Sequence, residues 1–319
     1  MLTLVLTLLL HGCPIPAIVA AFGLDERTVR AWLHKAGAHA ALLHDRMAVG
    51  VEARQVQADE IRVRVRGGAV WAAIALDVGS RLWLATAVAR RRDGLLVHLV
   101  LRRTLATLAG RTFLLAVDGF ASYIGAARTL IRVPEQTGRR GRPPLVWPEG
   151  FAFAQVVKAG LHRGEGIVRR VVVGTEATLS AALVASHGGA TINTASIERL
   201  NAMLRAHLAP LVRRRRALAH GPALVESGLH LLRLAYNWWW THESPRLHAV
   251  GTGHRWVERT PAVAAGLANR PFHLADLLRM PAHPIPLVAP RAPRRGRPCA
   301  RGRLIPFPCP AAPPERSTA

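Results

Sequence analysis

Val56-Gln57-Ala58-Asp59-Glu60-Ile61-Arg62-Val63-Arg64-Val65-Arg66-Gly67-Gly68, running on into Ala69 to Val78, is the stretch whose reading decides the fold. Ile61, Val63 and Val65 alternate with Arg62, Arg64 and Arg66, the pattern of an extended strand with one covered face. Gly67-Gly68 supplies a hairpin turn into a second strand, Ala69 to Val78. Gly79-Ser80 turns again into a third, Arg81 to Val88, so the three strands form an antiparallel meander. Downstream, Asp93 to Ala109 has Leu95, Leu96, Leu99, Val100, Leu105 and Leu108 at helical spacing, available to cover the sheet. Phe113 to Val117 is a short apolar run, a buried strand that ends at Asp118.

Three antiparallel strands, a helix and a strand is the element order of a ribonuclease-H-like core. In that core the first and fourth strands lie side by side, which would bring Asp59 and Asp118 together across a long sequence separation. The expected fold class is therefore α/β: a ribonuclease-H-like mixed five-stranded sheet with flanking helices, preceded by a small all-α helix-turn-helix domain. Phe151 to Lys158 and Val168 to Val173 are expected as the further strands that complete the five. A later helix, about Thr194 to Leu208, has Asn193 or Thr194 as cap and Ile197, Leu200 and Leu204 as its buried stripe. Glu198, Asn201 and Arg205 share a neighbouring face at i, i+3 and i+7, directed at the same cleft.

Working outward to the amino terminus, Leu4 to Ala36 reads as helix, turn, helix. Ile15, Ile18, Val19 and Phe22 have helical spacing, Gly23 supplies the turn, and Asp25 caps a second helix whose inner face is Val29, Trp32 and Leu33. Arg27, Thr28, Arg30 and His34 are left outward, as in a helix-turn-helix whose second helix enters a DNA major groove. Short helical hairpins without that role are common. The expected division is 1–48 for this domain, 49–280 for the catalytic domain with a basic loop near 133–148, and 281–319 for a disordered Pro/Arg-rich tail. Within the loop, Arg139-Arg140-Gly141-Arg142-Pro143 resembles an AT-hook core, which lays Arg side chains into a narrow minor groove, and Arg294-Arg295-Gly296-Arg297-Pro298 repeats it in the tail. In an Arg-rich chain, a nonspecific basic loop is the competing reading.

Composition bounds the partners. Among 319 residues there are 43 Lys+Arg against 19 Asp+Glu, a formal net charge of +24 and a pI near 11.8. Such an excess favours a polyanion, double-stranded DNA above all, although a GC-rich genome would also enrich Arg. Cys13, Cys299 and Cys309 are too few and scattered for a disulfide framework or a paired zinc site, which fits a reducing cytoplasmic setting. The apolar opening, Met1 to Leu10, lacks a basic flank and is too short to span a bilayer, so it reads as a core helix; no membrane partner is expected.

In a chain so poor in carboxylates, Asp59, Asp118 and Glu198 stand out because each belongs at the edge of a different element facing one cleft. Carboxylate oxygens suit hard divalent cations, and two Mg²⁺ ions, for which Mn²⁺ can substitute, would activate an oxygen nucleophile and stabilise a departing oxyanion at a phosphodiester. Asp59 would bridge both ions, with Asp118 holding one and Glu198 the other. Glu60, on the opposite strand face, and Asp77, near the end of the second strand, read as structural. Trp238-Trp239-Trp240 could stack on a base, but a preceding run of Leu229, Leu232 and Leu234 favours core packing. Arg213, Arg214, Arg215 and Arg216 follow the Glu198 helix at a place suited to phosphate contacts or to a solvated face.

Gln57-Ala58-Asp59-Glu60, Ala116-Val117-Asp118-Gly119-Phe120-Ala121-Ser122-Tyr123 and Ile192-Asn193-Thr194-Ala195-Ser196-Ile197-Glu198-Arg199-Leu200-Asn201 together resemble the three signature blocks of bacterial insertion-sequence transposases with a DDE triad, similar to the first insertion-sequence family described and its relatives. Gly141-Arg142-Pro143, Gln155-Val156-Val157-Lys158 and Thr260-Pro261-Ala262-Val263-Ala264-Ala265-Gly266-Leu267 extend the likeness, which covers roughly Leu8 to Leu278. The resemblance implies Mg²⁺-dependent nicking at element ends, attack of the freed 3′ hydroxyl on target DNA, a triad of Asp59, Asp118 and Glu198, a homo-oligomer on DNA, and a nucleoid-associated bacterial protein. This chain departs from the pattern in lacking a cysteine-rich segment before the helix-turn-helix and in carrying Ser196 where an aromatic is frequent. The rival reading is a catalytically inactive DNA-binding protein derived from such an element; a cellular ribonuclease H is disfavoured by the amino-terminal module.

Overall fold

The computed structural model describes residues 1–138, 141–158, 166–211, 219–249 and 255–282. Its amino-terminal part is three helices, α1 (Leu2–Leu10), α2 (Ile15–Phe22) and α3 (Glu26–Met47). The apolar opening is a core helix, with Val5, Leu6, Leu9 and Leu10 buried. Gly23 ends α2 at φ 64°, a left-handed conformation in which a Cβ is unfavourable. Asp25 then caps α3, its Oδ1 accepting from the Arg27 N–H at 2.6 Å. α3 runs well past Ala36, because Ala36, Gly37, Ala40, Leu43 and His44 prolong its buried stripe.

The sheet grows from the alternating stretch. β1 (Gln55–Val65), β2 (Gly68–Asp77) and β3 (Trp83–Ala89) form the antiparallel meander, followed by α4 (Gly94–Thr107) and β4 (Leu114–Asp118). α4 starts where expected: the Asp93 carboxylate accepts from the Leu96 N–H at 3.1 Å. Then come α5 (Ser122–Leu130), the two-residue strands β5 (Val133–Pro134) and β6 (Leu145–Val146), β7 (Ala152–Lys158) and β8 (Ile167–Val173). The sheet order is β3-β2-β1-β4-β7-β8, with β1, β4 and β7 parallel and the remaining pairs antiparallel. It is mixed, as expected, but has six strands rather than five, since β8 pairs along the outer side of β7 from Phe153 to Lys158. β5 and β6 close the base of the basic loop as a small separate ladder.

The chain continues through α6 (Glu176–Ser186), α7 (Ala195–His207) and α8 (Pro222–Leu234), a single π turn over Ala235–Trp239, the hairpin β9 (His242–His248) and β10 (Trp256–Arg259), and two short helices, α9 (Pro261–Ala264) and α10 (Leu274–Arg279). α3 lies along α8 at very close range: a Cβ on Gly37 would sit 2.5 Å from the Ser227 Cα. The described residues belong to one compact unit, Met1–Pro284. Trp238 is fully buried, so it packs in the core and offers no stacking surface.

The outer edge of β3 is occupied by side chains. Asn237 meets Trp83 twice, its Oδ1 accepting from the backbone N–H and its Nδ2 donating to the carbonyl, both at 2.9 Å. His44 Nε2 binds the Leu84 carbonyl at 2.9 Å, and Arg103 donates to that of Thr86. Burial holds the His44 imidazole well below its ordinary pKa, so it is neutral here. Among the described residues, no helix is long and apolar enough to cross a membrane. Arg139, Arg140, Arg213, Arg214, Arg215, Arg216 and the tail from His283, with its second AT-hook-like string, lie outside the described residues.

Candidate metal centre

β1 and β4 pair in parallel up to Ala58 and Val117, and Asp59 and Asp118 are the next residues on their respective strands. They open into a cleft of about 500 Å³ that is also lined by Arg92, Phe120, Thr194 and Glu198. Three acids far apart in sequence thus reach one cavity from β1, β4 and the first turn of α7. Gln57, fully buried on β1, anchors that helix: its Oε1 accepts from the Ile197 N–H and its Nε2 donates to the Asn193 carbonyl, each at 2.9 Å.

Each carboxylate is held by a short-range donor. Asp59 Oδ1 accepts from the Glu60 N–H at 2.8 Å and its Oδ2 from the Asn201 amide at 2.7 Å. Asp118 Oδ1 accepts from the Phe120 N–H at 3.0 Å. Glu198 Oε1 accepts from the Thr194 hydroxyl at 2.8 Å, so Thr194 serves the glutamate, while Asn193 Oδ1 takes the Ala195 N–H at the helix start. Burial pushes the Asp59 carboxyl up to about 6, and the Asp118 charge adds to this against the lowering by the Glu60 N–H. A carboxyl poised this way is common where charge is handled, and also in buried structural pairs.

The residue that the alternation argument set aside is Glu60. Asp59, Glu60 and Asp118 offer ligand oxygens all within 4.8 Å of one another, a group that could hold a metal ion; Glu198 lines the same cleft outside that group. That proximity does not place Glu60 on the face of Asp59: β1 keeps an unbroken register with β2 at both residues, and Asp59 lines the cleft while Glu60 does not. The Glu60 side chain is fully buried, with Tyr123 OH donating to Oε1 and Arg92 to Oε2. Asp77 is structural, as expected: its Oδ2 accepts from the Ser80 N–H at 2.8 Å and from the Ser80 hydroxyl, fastening the turn between β2 and β3.

The residues expected to touch DNA divide. Arg27 and Arg142 are exposed, and Thr28 and Arg205 are half-buried. Arg30 is paired with Glu26 and also contacts His220. His34 is exposed, with Nδ1 at 3.0 Å from the Ser227 hydroxyl of α8. Asn201 needs correcting: at 2 % exposure and bonded to Asp59, it holds a carboxylate and does not reach toward a duplex. The i+3 spacing from Glu198 gave its direction, but only the short distance from α7 to β1 makes it a buried partner. Comparison with protein-family models and with curated proteins gave no match.

Proposed function

We propose that the chain is a DDE-type DNA transposase, which cuts at insertion-sequence ends and joins the 3′ hydroxyl to target DNA by two-metal phosphoryl transfer. The observation that carries this reading is the convergence of Asp59, Asp118 and Glu198, from β1, β4 and α7, on one cleft. A formal net charge of +24 in a chain that nonetheless gathers carboxylates in one cleft gives it weight, because a basic chain favours a polyanionic partner and converging carboxylates favour cations.

The donor set fits a hard divalent cation: carboxylate oxygens converge, with no His or Cys among them. Asp59, Asp118 and Glu198 are the residues that would hold Mg²⁺, or Mn²⁺ in its place, with Glu60 close by and engaged by Arg92 and Tyr123. Bound there, such ions lower the pKa of an attacking oxygen and offset charge on the departing one. The protein's own part is to fix the carboxylates. Asn201 orients Asp59, the Phe120 N–H orients Asp118, and Thr194 orients Glu198.

In the first step a water oxygen bonds to phosphorus and gives up a proton, the bond from phosphorus to the 3′ oxygen breaks, and that oxygen takes a proton to become a free 3′ hydroxyl. In the second, this hydroxyl oxygen bonds to a target phosphorus, its proton is lost, and the target's own 3′ oxygen leaves and is protonated. The first step consumes one water and leaves one break, the second exchanges one phosphodiester for another, and neither needs a redox partner. α2 and α3, with Arg27 and Thr28, and the loop bearing Arg142 would contact duplex DNA at the element ends and target, in a homo-oligomer associated with the nucleoid.

The test is Mg²⁺- or Mn²⁺-dependent nicking of a plasmid carrying the gene's own flanking DNA. Discrete nicks at the flanks, lost in Glu198→Gln while DNA binding persists, are expected. Tight binding without metal-dependent nicks would leave the inactive DNA-binding reading in its place.

A further inference from the structure

Arg92 sits inside the acidic cleft. It is the residue before the Asp93 cap of α4, and its guanidinium lies 4.3 Å from the centre of the Phe120 ring and 5.5 Å from that of Trp71. Nη2 is 2.7 Å from Asp118 Oδ2 and 2.8 Å from Glu60 Oε2, while Nε donates to the same Glu60 oxygen at 2.9 Å. The two carboxylates it spans are two of the three whose oxygens could hold a metal ion. One positive charge therefore already stands where a divalent cation would be drawn.

The two contacts are unequal. Glu60 is fully buried and both its oxygens are engaged, one by Tyr123 and one by Arg92, so it is a fixed dock. Asp118 is more than a third exposed at the end of β4, and Arg92 meets it through a single nitrogen. Guanidinium is planar and permanently charged; it cannot be neutralised by losing a proton, only moved.

We propose that Arg92 is a built-in counter-cation that sets how tightly this cleft takes a divalent ion. Entry of an ion at Asp118 requires Nη2 to leave Asp118 Oδ2, while Nε keeps the side chain on Glu60. Arg92 is a positioning residue in this role: it competes for Asp118 and holds Glu60 away from the ion. The inference rests on the reading of the cleft as a metal centre, and it goes beyond that reading by assigning Glu60 to Arg92 rather than to the ion.

The test is direct binding of Mn²⁺, followed through loss of the free-ion electron paramagnetic resonance signal, for the full chain without DNA. Wild type, Arg92→Gln, Arg92→Lys and Asp59→Asn are compared, with circular dichroism to establish folding. Arg92→Gln removes the competing charge and should bind Mn²⁺ about tenfold more tightly, a change of about 1.4 kcal/mol. Arg92→Lys keeps the charge without the planar fork that spans both carboxylates, and should fall between the two. Asp59→Asn should bind more weakly than wild type. A merely structural role for Arg92 would leave affinity unchanged or weaken it, and that result overturns the proposal with the metal centre intact. Should Arg92→Gln fail to fold, Arg92→Lys decides alone: tighter than wild type supports the competition, equal or weaker refutes it. No Mn²⁺ bound by wild type or any Arg92 variant would remove both the metal centre and this inference.

Discussion

Asn201 on α7 and Asp59 on β1 are joined by a 2.7 Å hydrogen bond from the side-chain amide to the carboxylate Oδ2. The helix that presents Glu198 to the cleft is thereby tied to the strand that presents Asp59. Groups that orient a ligand without being one commonly matter about 10–100-fold in affinity or activity. Asn201→Ala should therefore lower Mg²⁺-dependent nicking by roughly that factor. DNA binding should change little, since Asn201 is buried. A variant that nicks normally but releases DNA would return Asn201 to the nucleic-acid surface.

The Asp59 carboxyl gives the second prediction, about stability against pH. In the unfolded chain it loses its proton near the ordinary 3.8, and in the fold only near 6. Between those values the unfolded state holds fewer protons, so stability falls as pH rises, by about 3 kcal/mol in all. The contribution is whole below the unfolded value and is lost as pH passes the folded one. Asp59→Asn cannot ionise, so in chelator-treated buffer it should melt above wild type near pH 7. The advantage should shrink toward pH 4; melting curves at the two pH values that differ by the same amount would contradict this.

Gly37 supplies a test of packing. With the Ser227 Cα 2.5 Å from where its Cβ would be, Gly37→Ala cannot be accommodated without moving α3 off α8. Overpacking of this kind costs about 2 kcal/mol, a fall in Tm of roughly 4–8 °C. Gly125 on α5 has nothing within 4 Å of its would-be Cβ, and Gly125→Ala should be neutral or gain up to about 1 kcal/mol from helix propensity. Equal melting of the two variants would mean that α3 and α8 are not in such close contact.

Much of this arrangement is written in local sequence. The alternation after Asp59 and the apolar run before Asp118 identify β1 and β4, and their side-by-side placement was expected from the likeness of the element order to a ribonuclease-H-like core, while their parallel direction is seen only in the structure. Glu198 was placed by the spacing of Ile197, Leu200 and Leu204. The tie between Glu60 and Asp118 was not legible, because it runs through a third residue, Arg92, rather than through the period of either strand. Arg92 escaped for a related reason: one arginine in Arg90-Arg91-Arg92 looks like any other until Glu60 and Asp118 select it. The length of α3 was hidden because Ala36, Gly37 and Ala40 are too small to announce a buried stripe, and their partner α8 is far along the chain.

The side chains seated along the first part of the β3 margin bear on how molecules of this protein meet one another. An exposed strand margin is a template onto which a second chain can add hydrogen bonds, and sheets that offer two such margins can extend without limit into fibres. Asn237, His44 and Arg103 have already filled that template at Trp83, Leu84 and Thr86. A second chain adding to the sheet at Trp83, Leu84 or Thr86 would first have to displace those side chains, which makes that stretch of the β3 margin a poor seed for aggregation.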